Sequence, residues 1–221
     1  ANGTQTSALF YMGDDPERTG KTESWNGTSW SETADLTTAR RQGGGLGADN
    51  ESALAFGGET APVNNLDITE SWNGTSWTEV ADLNTARVAM TGAGIVTAGL
   101  SISARILDAP SPYTGITELW NGTSWTEVAD LNTARSDLGG AGTSTLALAF
   151  GGYTGTARSV NTEAYNGTSW AEVNNLSLAR SQLGGAGIQT AAIAMGGGVP
   201  PNTGVSEEWN APTETNETIT I

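Results

Sequence analysis

The 221-residue chain contains no cysteine and no histidine. The first absence removes disulfides and thiol nucleophiles, and the two together remove zinc sites of the usual kind. Without histidine the commonest general acid–base group is also missing. The lack of cysteine leaves the compartment open; it means that stability must come from packing. Basic residues are scarce as well, nine Lys and Arg against 24 Asp and Glu, for a net charge of −15. Phosphate-directed nucleic-acid binding needs basic clusters and is not expected. An acidic surface favours solubility and attracts divalent cations or basic partners. Apolar runs such as "TLALAFGG" are far shorter than a membrane span, so no membrane insertion is expected. No signal peptide is visible and the chain begins at Ala1, which suggests a processed product or an excerpt of a longer chain.

What the chain has in quantity is repetition. The hexamer "WNGTSW" begins at Trp25, Trp72 and Trp120, a variant "YNGTSW" at Tyr165, and a degenerate "WNAPTE" at Trp209. Five units 44 to 48 residues apart fill the chain and leave no room for a second domain. Each later unit opens on an arginine (Arg40, Arg87, Arg135, Arg180) and a run that is usually Gly-rich. A short apolar run follows, usually closed by a glycine pair as in "SALAFGG" and "AAIAMGG". After a loop of variable length come the hexamer and a connector such as "ADLNTAR". Two-residue alternation, with Glu23 and Trp25 on one face and Ser24 on the other, reads as strand.

Four short strands at this period predict an all-β fold, a five-bladed β-propeller with four antiparallel strands per blade. The blades are placed at about 1–36, 40–83, 87–131, 135–176 and 180–221 of a single domain. Gly-rich first strands suit the crowded axis. Second strands are expected to be buried on both faces. Asn-Gly is read as a type I′ turn joining the outer strands, with both aromatics of each hexamer on one face: Trp25 with Trp30, Trp72 with Trp77, Trp120 with Trp125, and Tyr165 with Trp170. Four of the eight Asn-X-Ser/Thr sequons lie in these hexamers and are explained by turn chemistry.

The order of arginine, Gly-rich strand, apolar strand with Gly-Gly, then an aromatic and a Trp five positions apart resembles the kelch repeat. Kelch repeats build propellers similar to the central domain of galactose oxidase, and the resemblance spans the chain. The wording "WNGTSWTEVADLNTAR" is also similar to repeat proteins of tailed bacteriophages and aquatic bacteria. The copper chemistry of galactose oxidase requires His and Cys, so the resemblance carries the fold and not that activity. Units 1 and 3 depart from it, with Met12-Gly13 and "TAGLSISARI" where the glycine pair is expected.

The recurrent arginines and the recurrent Glu23, Glu70, Glu118, Glu163 and Glu207 are read as structural Arg–carboxylate pairs rather than a ligand ring. Candidate binding residues fall in the variable loops at about 14–21, 59–68, 103–116, 153–161 and 198–205, all on the face opposite the Asn-Gly hairpins. They are Asp14, Asp15, Glu17, Asn64, Asn65, Asp108, Tyr113, Tyr153 and Arg158; the alternative is that these loops simply drift in sequence. No cofactor is expected. Asp14, Asp15 and Glu17 are the one set with oxygen ligands for Ca2+, at a spacing that matches no standard calcium loop.

Three closures of the ring stay open. Blade 5 packs side to side on blade 1, which is the preferred arrangement; or Glu217 to Ile221 complete blade 1 by strand exchange; or a seam is left for another copy. The expected function is a non-enzymatic extracellular or virion-associated module that contacts a surface glycan or a structural protein. A self-assembling subunit of a filament or virion layer is the alternative, and a carboxylate-based carbohydrate-active enzyme ranks last.

Overall fold

The computed structural model describes residues 1–14, 16–62, 64–199 and 202–211. These residues form strands and turns with no helix. Blade 1 contains strands Asn2–Gly3, Ala8–Asp14, Arg18–Trp25 and Trp30–Glu32. Blade 2 contains Gly44–Leu46, Ala53–Phe56, Thr69–Trp72 and Trp77–Glu79. Blade 3 contains Thr91–Ile95, Ala98–Arg105, Tyr113–Trp120 and Trp125–Val128. Blade 4 contains Gly139–Gly142, Ala147–Phe150, Thr162–Tyr165 and Trp170–Glu172. Blade 5 contains Gly184–Ile188, Ala191–Met195 and Ser206–Asn210. Within each sheet the strands neighbour one another in chain order and pair antiparallel. The chain is a five-bladed β-propeller. The fourth strand expected in blade 5, and the strand exchange by Glu217 to Ile221, lie outside the described residues.

First strands stand side by side around a channel lined by residues 1–3, 45–47, 92–94, 140–142 and 185–187. Glycine is required there by space. A Cβ on Gly92 would collide with the carbonyl of Gly45, and one on Gly185 with the carbonyl of Gly140. Backbone bonds also link the lead-ins to successive first strands. Ala89 N–H donates to Gln42 O (2.7 Å), Asp137 N–H to Ala89 O (3.0 Å), and Gln182 N–H to Asp137 O (2.7 Å).

Side chains of each second strand alternate between two neighbours. In blade 2 the small Ala53 and Ala55 face blade 1, while Leu54 and Phe56 face blade 3. The second Trp of a hexamer fills the widening wedge against the preceding blade: Trp77 meets Tyr11 edge-on at 5.0 Å, and Trp125 meets Phe56 at 5.0 Å. Within the hexamers the paired rings lie 5.0 to 5.5 Å apart on one face, as the spacing predicts. Such edge-on and tilted pairs add about 0.5–1.5 kcal/mol beyond area burial.

Among the described residues this pattern makes four inter-blade cores, at 1–2, 2–3, 3–4 and 4–5. Side-to-side closure of blade 5 on blade 1 is not formed among the described residues. Burial of second strands on both faces therefore holds for blades 2 to 4 and fails at the ends. Phe10 is 49% exposed, Trp30 50% and Met195 40%; none of the three belongs to an inter-blade core among the described residues.

Two local expectations are corrected. A type I′ turn would need left-handed φ at both Asn and Gly. In the hexamers only glycine has it, at +90° for Gly27 and Gly74, and asparagine acts through its side chain. Asn26 Oδ1 accepts the N–H groups of Thr28 and Ser29 at 2.9 and 3.0 Å, and Asn73 repeats this with Thr75 and Ser76 at 3.0 Å each. The glycine pair proves to mark a backbone conformation rather than a residue. Gly57, Gly151 and Gly196 have φ of +61°, +66° and +62°, and Met12 and Ser103 adopt +56° and +59° in the same place. At both non-glycine positions the strand pairing slips by a bulge.

Candidate functional site

The recurrent arginines and glutamates do pair, and inside the structure. Arg40 binds Glu70 and Arg87 binds Glu118, with all four side chains fully buried. Arg135 binds Glu163 at 2.6 Å and Arg180 binds Glu207 at 3.0 Å. The second carboxylate oxygen accepts a connector N–H, from Thr37, Asn84, Asn132 and Ser177 respectively, at 2.7 to 2.8 Å. In Arg40, Arg87 and Arg135 a second guanidinium nitrogen reaches across to the second strand, to Ala55 O, Ser101 Oγ and Ala149 O; in Arg180 the nitrogen that binds Glu207 also reaches Ala194 O. Each arginine thus staples its incoming connector to the blade it begins. Burial pulls the pKa of Arg87 down from its ordinary value, and Glu118 opposes that shift. Burial pushes the Glu207 carboxyl up, but hydrogen bonds from Ser177 and the charge of Arg180 outweigh it and hold the group below its usual range. Glu23 stands apart. It is exposed, and among the described residues its side chain makes no ion pair with an arginine of this series.

A second repeated contact had no counterpart in the sequence reading. Asp35, Asp82, Asp130 and Asn175 of the connectors accept the N–H of Thr22, Thr69, Thr117 and Thr162 at 2.9 to 3.3 Å. Their signal is the acid or amide before the connector leucine.

Variable loops gather on the face where the connectors lead into each blade, and the hexamer hairpins lie on the other. Trp72 Nε1 donates to Asn50 O in the turn between first and second strands (2.9 Å), which places those turns on the hairpin side. On the opposite side Arg41 pairs with Glu59, Val88 with Arg105, and Ser136 with Tyr153 across the connector–loop boundary.

The loops touch one another from blade to blade. Between blades 1 and 2, Asp14 Oδ2 accepts from Arg41 at 2.7 Å, and the buried Glu59 accepts from Arg41 at 2.6 Å and Arg18 at 3.0 Å. Hydrogen bonds from Arg41 to Asp14 and Glu59 raise its pKa above the usual value. Between blades 2 and 3, Asn65 Oδ1 accepts the Leu107 N–H at 3.2 Å. Between blades 3 and 4, Tyr113 and Tyr153 meet edge-on at 5.7 Å, both half-buried. Tyr153 also donates its hydroxyl to Gly155 O at 3.0 Å.

No protein-family model and no curated protein matches this chain.

Of the candidate residues, Asp14, Asn65, Tyr113 and Tyr153 enter these cross-loop contacts. Glu17, Asn64, Asp108 and Arg158 project into solvent from the same face, and Asp15 lies outside the described residues. The Ca2+ set includes Asp15 and so lies in part outside the described residues; of its other members, Asp14 is engaged by Arg41. Arg18, Arg41 and Glu59 were not singled out from sequence. Doubling of arginine at 40–41 is their one signal, because the other units carry a single arginine there. Chemically the face offers exposed amide, carboxylate and guanidinium groups beside the Tyr113–Tyr153 pair. That combination suits hydroxyl-rich ligands through hydrogen bonds and ring-face contact.

Proposed function

We propose that this propeller is a non-enzymatic binding module whose variable-loop face contacts a surface glycan. The observation behind this reading is the tying together of loops from four successive blades by the Arg41 cluster, the Asn65–Leu107 bond and the Tyr113–Tyr153 pair. Loops that merely drifted would have no need of cross-blade contacts, and rigid presentation of polar and aromatic groups lowers the entropic cost of binding. We place the module outside the cytoplasm, on a virion or an extracellular layer, in keeping with the kelch-like and phage-repeat wording of the units. A glycan panel tests it. Replacing residues 107–112, which lie between the second and third strands of blade 3, by a short Gly-Ser loop should abolish retention of the glycan that the parent chain binds and leave the melting temperature nearly unchanged. Binding that survives replacement of all the variable loops would refute the reading.

A second reading, self-assembly into a filament or layer, is favoured by one specific observation. The outward faces of blades 1 and 5 expose large apolar side chains that the inner blades bury.

A further inference from the structure

The two end faces are not alike, and their difference sets the geometry of any assembly. Three of the inter-blade cores are built the same way, and in the 4–5 core blade 5 contributes Trp209 alone among the described residues. The larger second-strand residues of one blade (Leu54 and Phe56 in blade 2) pack onto the aromatic pair of the next (Trp120 and Trp125 in blade 3). Blade 1 has its aromatic pair, Trp25 and Trp30, left over, and blade 5 has its larger residues, Ile193 and Met195, left over. One spare face is the acceptor half of the repeated contact and the other is the donor half.

We propose that a second copy of this chain occupies the seam, with blade 5 of one copy packed on blade 1 of the next. This rests on the self-assembly reading above and gives it a surface and a polarity. Met195 stands where Phe56 stands in blade 2, at the spot that contacts the second Trp of the following blade. A thioether against the rim or face of an indole is a favourable contact. Phe10 adds to the match. It occupies the register position that Ala55, Ser101, Ala149 and Ala194 hold in the other blades, opposite the third-strand glutamate. In those blades the stapling arginine lies over that position; in blade 1 no arginine does, and a Phe enlarges the apolar face instead. Beside it opens a hollow of about 280 Å3 lined by Phe10, Lys21, Glu23 and Glu32.

Because donor and acceptor differ, the contact is heterologous, head to tail. It propagates into a chain or closes into a ring of copies, and no single contact of this kind lies on a two-fold axis. With a net charge of −15 on every copy, screening by added salt should strengthen the association.

Sedimentation velocity between about 1 and 200 µM is the test, on the parent chain and two variants. Trp30→Glu blocks the blade 1 face and Met195→Asp blocks the blade 5 face. Both positions are exposed, and circular dichroism melts check that the variants fold. The expected result is a concentration-dependent series for the parent, a monomer for each variant alone, and a one-to-one dimer when the variants are mixed. In that dimer the intact blade 5 of Trp30→Glu meets the intact blade 1 of Met195→Asp, and growth stops there. A parent that assembles regardless of both substitutions overturns this inference while leaving self-assembly through another surface. A parent that stays monomeric throughout overturns both.

Discussion

Arg87 and Glu118 form an ion pair in which neither side chain reaches solvent. The pair holds the connector to blade 3 against the third strand through Asn84, and the second strand through Ser101. Breaking a buried pair from one side leaves an uncompensated charge and costs about 3–5 kcal/mol. Arg87→Met should therefore lower the urea midpoint sharply. The double change Arg87→Met with Glu118→Leu should restore most of the loss, since no charge is then stranded. A double variant no more stable than the single one would show that the hydrogen bonds to the connector matter more than the charge.

Ser103 carries a left-handed φ of +59° without being glycine. Its hydroxyl donates to Thr114 O at 2.8 Å and to Arg135 O, joining blade 3 to the connector that leads into blade 4. In blades 1, 2 and 4 a glycine N–H serves the same carbonyl position, from Gly13, Gly58 and Gly152. Ser103→Ala keeps the strain and strands buried carbonyls, so it should cost about 1–3 kcal/mol. Ser103→Gly relieves the strain while losing the same bonds, and should sit within about 1 kcal/mol of the parent. Denaturant melts of the two variants distinguish them.

In the hexamer the turn depends on one left-handed glycine and one side-chain acceptor. Gly74→Ala places a Cβ at φ +90° and should destabilise by about 1–2 kcal/mol. Asn73→Ala removes the acceptor for Thr75 and Ser76 and should cost about 1 kcal/mol. Thermal melts giving no loss for Gly74→Ala would contradict the turn geometry.

Glu207 gives blade 5 an acid sensitivity. Its folded pKa lies below the ordinary value of 4.5, so its stabilising contribution is complete above that pH. The contribution falls away as pH drops through the depressed folded value, because the unfolded chain then binds the proton first. Protection of blade 5 amides, relative to their intrinsic exchange rate at each pH, should fall below about pH 4.5, and Glu207→Gln should flatten that dependence. A parent and a Glu207→Gln chain with the same slope below pH 4.5 would exclude the group as the cause.

Features present in every unit were legible in the sequence because several copies expose the same constraint. The Trp pairs, the Arg–Glu staples and the axial glycines all follow from aligning the units. What escaped was of two kinds. Side-chain chemistry can substitute for backbone preference: Asn26 shapes its turn by accepting two N–H groups, and Ser103 fills a glycine position by bonding two carbonyls. Residues found once have no second copy to explain them. Phe10 reads as one more apolar strand residue until its opposite number, Ala55, is seen buried beneath Arg40. Arg41 and Glu59 look like loop residues until Arg18 and Asp14 close around them. The candidate binding residues were chosen by loop variability alone, which locates a face and cannot foretell which side chains brace it.

The uncovered flanks of blades 1 and 5 are tested most directly by hydrogen–deuterium exchange at a dilution where the chain is monomeric. Second strands of blades 2 and 4 are buried on both sides, whereas those of blades 1 and 5 are buried on one. Peptides covering 8–12 and 191–195 should exchange roughly tenfold or more faster than those covering 53–56 and 147–150. Equal protection of all four segments would mean that the ring closes on itself and that the seam is not there to be filled.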